Sequence, residues 1–261
     1  MESILGRTPT ANLKSRITLL SVAGTTDTIN QHVNETIIDT KKDRFPRVIV
    51  AKDGWNRFNN FSDVSFRDRA YQRLQRPGEH IWTKSWLRYI LGRNAVISMV
   101  NMSSLARTDF KLMIDVYDSL ILPGGNTFQL YKGIKQHKDI IQNSVESGNI
   151  SYIGESAGSI LAGRHTFPAL IPPADICPSG VDLTESLKLI DSNVIVHAEG
   201  SSSTSTIPVI GKIAEIVLKN CITNQEDINR YINSFRSSSD STIILRDDQA
   251  ARFQSGKLRI I

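Results

Sequence analysis

The stretch ISYIGESAGSILAG, residues 150–163, carries an apolar run into a Gly-Glu-Ser-Ala-Gly turn and leaves it as Ser-Ile-Leu-Ala. Gly154 and Gly158 flank Ser156 at two residues' distance on either side. A serine so placed can sit at the tip of a strained strand-to-helix turn with its hydroxyl exposed, the glycines removing the Cβ clashes such a turn would create. The same residues can also form a tight turn with no chemistry in it. The nucleophilic reading requires three further groups: a base, a carboxylate to orient it, and donors for an oxyanion.

The chain offers five histidines as base. His32 and His137 fall on the polar faces of expected helices, which favours a solvated surface role. His80 lies in a basic, aromatic segment away from any strand end. His165 follows Ser156 by nine residues, at the end of the helix that should carry it away from the turn. His197 closes the run VIVHAEG, so its ring should project where a strand ends. For the carboxylate, Asp247 and Asp248 follow the strand-like STIIL, Asp175 lies in a Pro-rich loop between Ser156 and His197, and Glu155 and Glu199 adjoin the main candidates. With Asp247 the chain order is Ser, His, Asp. The α/β-hydrolases run Ser, Asp, His, so the G-x-S-x-G motif does not place the chain among them.

These residues need elements to hold them. Apolar runs at 16–24, 47–54, 95–100, 119–125, 150–155 and 192–200 read as strands, and the segment 241–261 suggests two or three more. Helical periodicity is found at 29–44, 80–91, 110–117 and 127–148. Short apolar strands alternating with helices predict an α/β fold whose mainly parallel sheet is covered on both faces. Ligands gather at the carboxyl ends of such strands. Gly124-Gly125-Asn126, Gly154-Glu155-Ser156 and His197 each stand at such an end, as expected of a site along one sheet edge.

Composition sets the class. At 261 residues, with 40% hydrophobic and 22% charged, the chain can bury a sizeable core and is neither disordered nor fibrous. It is expected to be one domain over 1–261, with a basic, aromatic excursion at about 55–93. The opening residues MESILGRTPTANLKSR lack the apolar core of a secretory signal, and no stretch reaches the roughly 18 apolar residues of a membrane span. Two cysteines, Cys177 and Cys221, make neither a disulfide framework nor a C-x-x-C metal motif, and both read as inert packing residues. A cytoplasmic protein is expected, with no membrane partner. Residues 41–93 hold 13 Lys and Arg against 5 Asp and Glu, together with all three tryptophans. Basic residues among aromatics can bind single-stranded nucleic acid. No nucleic-acid motif accompanies them, so aromatics packed inward and solvated arginines are the expectation.

LPGGNTFQL (122–130), then a helix, then YIGESAG (152–158) resembles the peptidase E family of serine peptidases, which includes aspartyl dipeptidases and, more distantly, cyanophycinases. Such members show a glycine run leading into Asn-Thr-Phe, a G-x-S-A-G turn, a His at a strand end, and an acid-x-x-Ala after a strand near the C-terminus. Here Ser156 lies 30 residues after Asn126 and His197 lies 41 after Ser156, while RDDQA supplies Asp247-x-x-Ala250. The resemblance covers residues from about 119 to 261. It implies a three-layer sandwich similar to class I glutamine amidotransferases (flavodoxin-like), with Ser in place of the amidotransferase Cys.

It further implies Ser156 as nucleophile, His197 as base and Asp247 as orienting acid, with Asp248 its near rival. The backbone N–H groups of Gly125 and Ala157 would form the oxyanion hole, and Asn126 and Thr127 would line the substrate pocket. The implied substrate is a small peptide, with N-terminal Asp the first to consider, and neither metal nor other cofactor is required; a homodimer is a candidate assembly. Two positions depart from the family pattern: Pro123 replaces the first residue of the glycine run, and AEGSSSTSTIPVIGK (198–212) replaces an Arg- and Glu-rich stretch after the His. Arg164 and Arg246 are candidate cations for an acidic substrate. The rival reading is a catalytically silent member of the same fold that binds peptide or protein.

Overall fold

A computed structural model describes residues 4–5, 15–21, 26–38, 45–55, 79–170, 175, 177, 181–197 and 241–261. The N-terminal half supplies strands β1 (Ile4–Leu5), β2 (Arg16–Leu20), β3 (Arg47–Ala51), β4 (Val96–Val100) and β5 (Ser119–Leu122). Strands β6 (Ser151–Glu155), β7 (Asn193–Ile195), β8 (Thr242–Ile244), β9 (Ala250–Gln254) and β10 (Lys257–Ile260) follow. Among the described residues the helices are α1 (Asp27–Ile38), α2 (Glu79–Leu91), α3 (Arg107–Val116), α4 (Thr127–Ile134), α5 (Lys138–Glu146) and α6 (Ala157–Ala162).

Among the described residues, seven strands form the central sheet in the order β10-β9-β2-β6-β5-β3-β4. Strands β2, β6, β5, β3 and β4 are parallel, while β9 runs antiparallel to β2 and β10 antiparallel to β9. Side chains alternate between its faces as the pleat requires. Ile17, Leu19, Ile49, Leu120, Leu122 and Tyr152 point into one core with Phe110, Leu130 and Leu161. Leu20, Val48, Val50, Ile121 and Ile153 point the other way, onto Ile29, Val33 and Ile37 of α1 and Trp86 and Leu87 of α2. Both faces of the inner strands are therefore apolar, the pattern of a parallel sheet covered by helices on either side. Each fully buried Leu or Ile contributes about 1.5–3 kcal/mol. The architecture is the expected three-layer α/β sandwich.

Trp86 packs as expected of an inward aromatic, its indole N–H donating to Asn30 Oδ1 at 2.8 Å, whereas Tyr89 on the same helix, also expected to pack inward, is 75% exposed. Residues 56–78 of the basic, aromatic segment lie outside the described residues, as do 39–44 of the expected helix at 29–44 and the polar loops near 201–206 and 234–240. Among the described residues no helix is long and apolar enough to cross a membrane.

Two expectations are corrected. The helix expected over 127–148 is broken: α4 ends at Ile134, a 3-10 turn spans Lys135–His137, and α5 starts at Lys138. His137 is fully buried, not solvated, with its ring centroid 4.7 Å from that of Phe110 and its Nε2 3.0 Å from the Met102 carbonyl. Gln136 Nε2 donates to the same carbonyl at 3.0 Å. Gln136 and His137 thus both reach the Met102 carbonyl from a 3-10 turn that separates the two α-helices. His32 is also mostly buried, beside Glu35 and Arg252.

The second correction concerns the sheet edge. A separate three-stranded sheet, in the order β1-β8-β7, carries the C-terminal candidates. Strands β7 and β8 are parallel, and Leu245 N–H donates to the Ile195 carbonyl at 2.9 Å just beyond their paired ends. Helix α6 spans the gap between the sheets: it follows β6, and beyond it Arg164 N–H donates to Ser192 O at 2.9 Å.

Candidate active site

The turn between β6 and α6 is built on two close backbone approaches. A Cβ on Gly158 would lie 1.8 Å from the Leu122 carbonyl oxygen of β5. One on Gly154 would lie 2.7 Å from the Gly158 backbone. Only hydrogen fits at either position. Ser159, fully buried one residue further on, sets its hydroxyl 2.7 Å from Leu20 O and 2.8 Å from Gly154 O, and accepts Leu20 N–H at 3.0 Å. Together with Ser156 N–H, which donates to Leu20 O at 2.9 Å, these contacts tie the first turn of α6 to the end of β2.

Ser156 absorbs the change of direction. Its φ of 47° and ψ of −106° lie outside the basins open to ordinary residues, a conformation that costs about 1–3 kcal/mol. It presents Oγ to His197 Nε2 at 3.0 Å. On the far side of the ring, His197 Nδ1 lies 2.6 Å from Asp247 Oδ1. An ionised carboxylate can only accept, so this geometry suits the neutral tautomer with the proton on Nδ1 and a lone pair on Nε2 toward the serine. The His197 and Asp247 side chains are only 14% and 19% exposed, which keeps competing water from most of the relay. Register brings these residues together from distant parts of the chain. Leu20 pairs with Glu155 and Leu122 with Gly154, so the ends of β2, β6 and β5 are level.

The Gly124-Gly125 turn after β5 packs against the serine: a Cβ on Gly124 would sit 3.5 Å from Ser156 Cβ. Gly125 has a φ of 131°, a backbone state that a side chain would oppose. Asn126 N–H is held by the Gly54 carbonyl at 3.2 Å, and Asn126 Oδ1 accepts Gln129 N–H at 3.0 Å as the N-cap of α4. Thr127 N–H donates to Asp175 Oδ2 at 2.8 Å. Asn126 and Thr127 are 2% and 0% exposed, so their side chains, expected along a substrate pocket, lie inside the support of the turn.

The profile of Peptidase family S51, the peptidase E family, matches residues 88–261, which takes in every residue just described from β5 onward. The chain belongs to peptidase family S51. It is therefore a hydrolase, a peptidase of the peptidase E kind. Two solved structures are similar to this S51 peptidase. One is of a protein assigned as peptidase E from Listeria monocytogenes EGD-e, with 13% identity and a TM-score of 0.57 over 95% of this chain and 98% of that one. The other is of a peptidase from an acI-B1 Actinobacterium, with 14% identity and a TM-score of 0.48 over 97% of this chain and 88% of that one. Curated proteins offer no match.

The rival carboxylates of the S51 peptidase are engaged elsewhere. Asp248 is exposed and paired with Arg246 at 3.1 Å, and Asp175 accepts from Thr127 N–H. Glu155 Oε2 lies 3.4 Å from Gly124 N, and Glu199 is outside the described residues. Of the candidate cations, Arg164 is held by Asp191 at 2.6 Å and Arg246 by Asp248. His165 turns away from the serine, its Nδ1 3.0 Å from Asn193 Oδ1.

One residue of the cluster was missed by sequence reasoning: Ser21, which touches both His197 and Asp247. The signal was available, since Ser21 is the polar residue closing the apolar run RITLL, the criterion that singled out the other strand ends.

Burial, with a smaller contribution from Asp175, pushes the Cys177 thiol up to about 11. At neutral pH Cys177 is then almost wholly the unreactive thiol. Peptide mapping after brief iodoacetamide treatment of the native protein at neutral pH should find Cys177 unmodified; rapid alkylation there would contradict this burial.

Proposed function

We propose that this S51 peptidase hydrolyses short peptides by a serine mechanism, with Ser156 as nucleophile, His197 as general base and Asp247 as the group orienting His197. The observation that carries the reading is the continuous pair of contacts, Ser156 Oγ to His197 Nε2 at 3.0 Å and His197 Nδ1 to Asp247 Oδ1 at 2.6 Å. Both fall within the distance at which a base can take the serine proton and a carboxylate can fix the imidazole tautomer.

The steps follow from the bonds. Ser156 Oγ attacks the scissile carbonyl carbon as its proton passes to His197 Nε2. The carbonyl oxygen becomes an oxyanion, for which the Gly125 and Ala157 N–H groups are the proposed donors; one donor of this kind is worth about 3–4 kcal/mol. Collapse breaks the C–N bond, and the imidazolium gives its proton to the leaving amine. Water, deprotonated by the same nitrogen, then cleaves the acyl-enzyme and returns the proton to Ser156.

Short peptides with a free N-terminus, beginning with Asp, are the substrates to try first, on the family resemblance. A preference for that side chain needs a cation near the site, and Arg164 and Arg246 already have carboxylate partners. The mechanism is tested by labelling with a fluorophosphonate. Wild type should be modified at Ser156, as located by mass spectrometry, and Ser156→Ala should not be modified. A wild-type protein that stays unlabelled while binding peptide would be the silent binding module instead.

A further inference from the structure

Ser21 has no task in the mechanism above, yet its hydroxyl touches both His197 and Asp247. It stands one position beyond the end of β2 and is fully buried. Its Oγ lies 2.8 Å from Asp247 Oδ1 and 3.2 Å from His197 Nδ1, and it accepts the backbone N–H of His197 at 2.9 Å. A hydroxyl has one proton and two acceptor lone pairs. The proton goes to the carboxylate, which has none to give. One lone pair takes the His197 N–H, and the other faces the Nδ1 proton already directed at Asp247.

We infer that Ser21 is a positioning residue for the reaction, one that holds the imidazole and the carboxylate in register with the serine; this rests on the Ser156–His197–Asp247 reading. Two features give the hydroxyl this work. Asp247 Oδ1 receives both the Nδ1 proton and the Ser21 proton, so the Ser21 bond fixes the carboxylate's rotation about its soft terminal torsion. His197 has a φ of 57°, an uncommon state for a residue with a Cβ, and its N–H bond to Ser21 anchors the backbone there. Ser21 thus links the central sheet to the ends of β7 and β8, the junction on which the alignment of His197 with Ser156 depends. Ser21 is not itself a second nucleophile: it is sealed from solvent and its proton is committed to Asp247.

The test is the kinetics of fluorophosphonate labelling at Ser156, which needs no knowledge of the natural peptide. Ser21→Ala should lower the maximal labelling rate roughly 10- to 100-fold, the range for losing a hydrogen bond to a charged group. The probe concentration giving half-maximal rate should stay unchanged, because Ser21 does not face the probe. In ¹⁵N-histidine-labelled protein, the far-downfield Nδ1 proton of His197 should broaden or vanish in Ser21→Ala. Ser21→Thr, which keeps the hydroxyl, should recover both the resonance and most of the rate.

Ser21→Ala labelling at the wild-type rate, or losing only probe affinity, would overturn the inference. So would a folded Ser21→Thr, with a wild-type thermal midpoint, that labels no faster than Ser21→Ala. These results leave the nucleophile assignment standing if Ser156→Ala is unlabelled. Labelling that persists in Ser156→Ala would instead remove the mechanism, and the Ser21 inference with it.

Discussion

Ser156→Ala and His197→Ala are each expected to lower peptide turnover by about 10⁴- to 10⁶-fold, and the double variant to lose little more. The near-absence of additivity is the diagnostic part. In the proposed mechanism Ser156 Oγ is activated through the lone pair of His197 Nε2, 3.0 Å away, so either deletion would remove the same step. What survives is whatever oxyanion stabilisation and substrate binding supply. Asp247→Asn belongs to the same set. An amide can turn its NH₂ toward the ring, which favours the tautomer with Nε2 protonated, and the expected loss is about 10⁴-fold. Circular dichroism and thermal melts should show all these variants folded. Measuring kcat and KM on short Asp-initiated and other peptides checks the prediction. Deletions whose effects multiply would mean that the two residues act separately, and full activity in Ser156→Ala would end the serine mechanism.

The second large effect is structural. Gly158→Ala places a Cβ 1.8 Å from Leu122 O, a rigid backbone atom of β5, and a real contact cannot be much under 3 Å. Helix α6 must move away from the sheet, which disturbs the Tyr152 hydroxyl bond to Gly158 O at 2.6 Å. Overpacking of this severity costs about 3 kcal/mol or more. For a chain of this size that lowers the thermal midpoint by about 6–12 °C. Because α6 carries Ser156 at its start, a shift of about 1 Å should also cost about 10²-fold in turnover. Gly124→Ala is the informative contrast. Its Cβ would meet Ser156 Cβ at 3.5 Å, an ordinary contact, so the fold should keep its stability. A Gly158→Ala protein that melts with wild type would show that α6 is not held against β5 as described.

Several features of this peptidase were legible in the chain because they are enforced over a few residues. The burial of β2, β3, β5 and β6 on both faces follows from continuous apolar runs such as RITLL and RVIVA, and Gly154 and Gly158 declare a close backbone approach by their spacing. The family resemblance rested on motifs of the same local kind. Asp247 could not be separated from Asp248 in that way, since adjacent residues differ only in which side of the chain they face. In the fold one faces His197 at 2.6 Å and the other faces Arg246 at the surface.

The remaining features belong to the tertiary structure. The break at Lys135–His137 is set by what Gln136 and His137 find across from them, the carbonyl of Met102. The relay itself joins strand ends from two sheets, and Ser21 meets Asp247 across 226 residues of sequence. Sequence by itself determined which residue types stand at strand ends, because burial and backbone sterics act locally along the chain. Which of those ends become neighbours was decided by strand order and by how the small sheet docks through α6. That is a property of packing, in which residues remote in sequence are held within 3 Å by the core built between them.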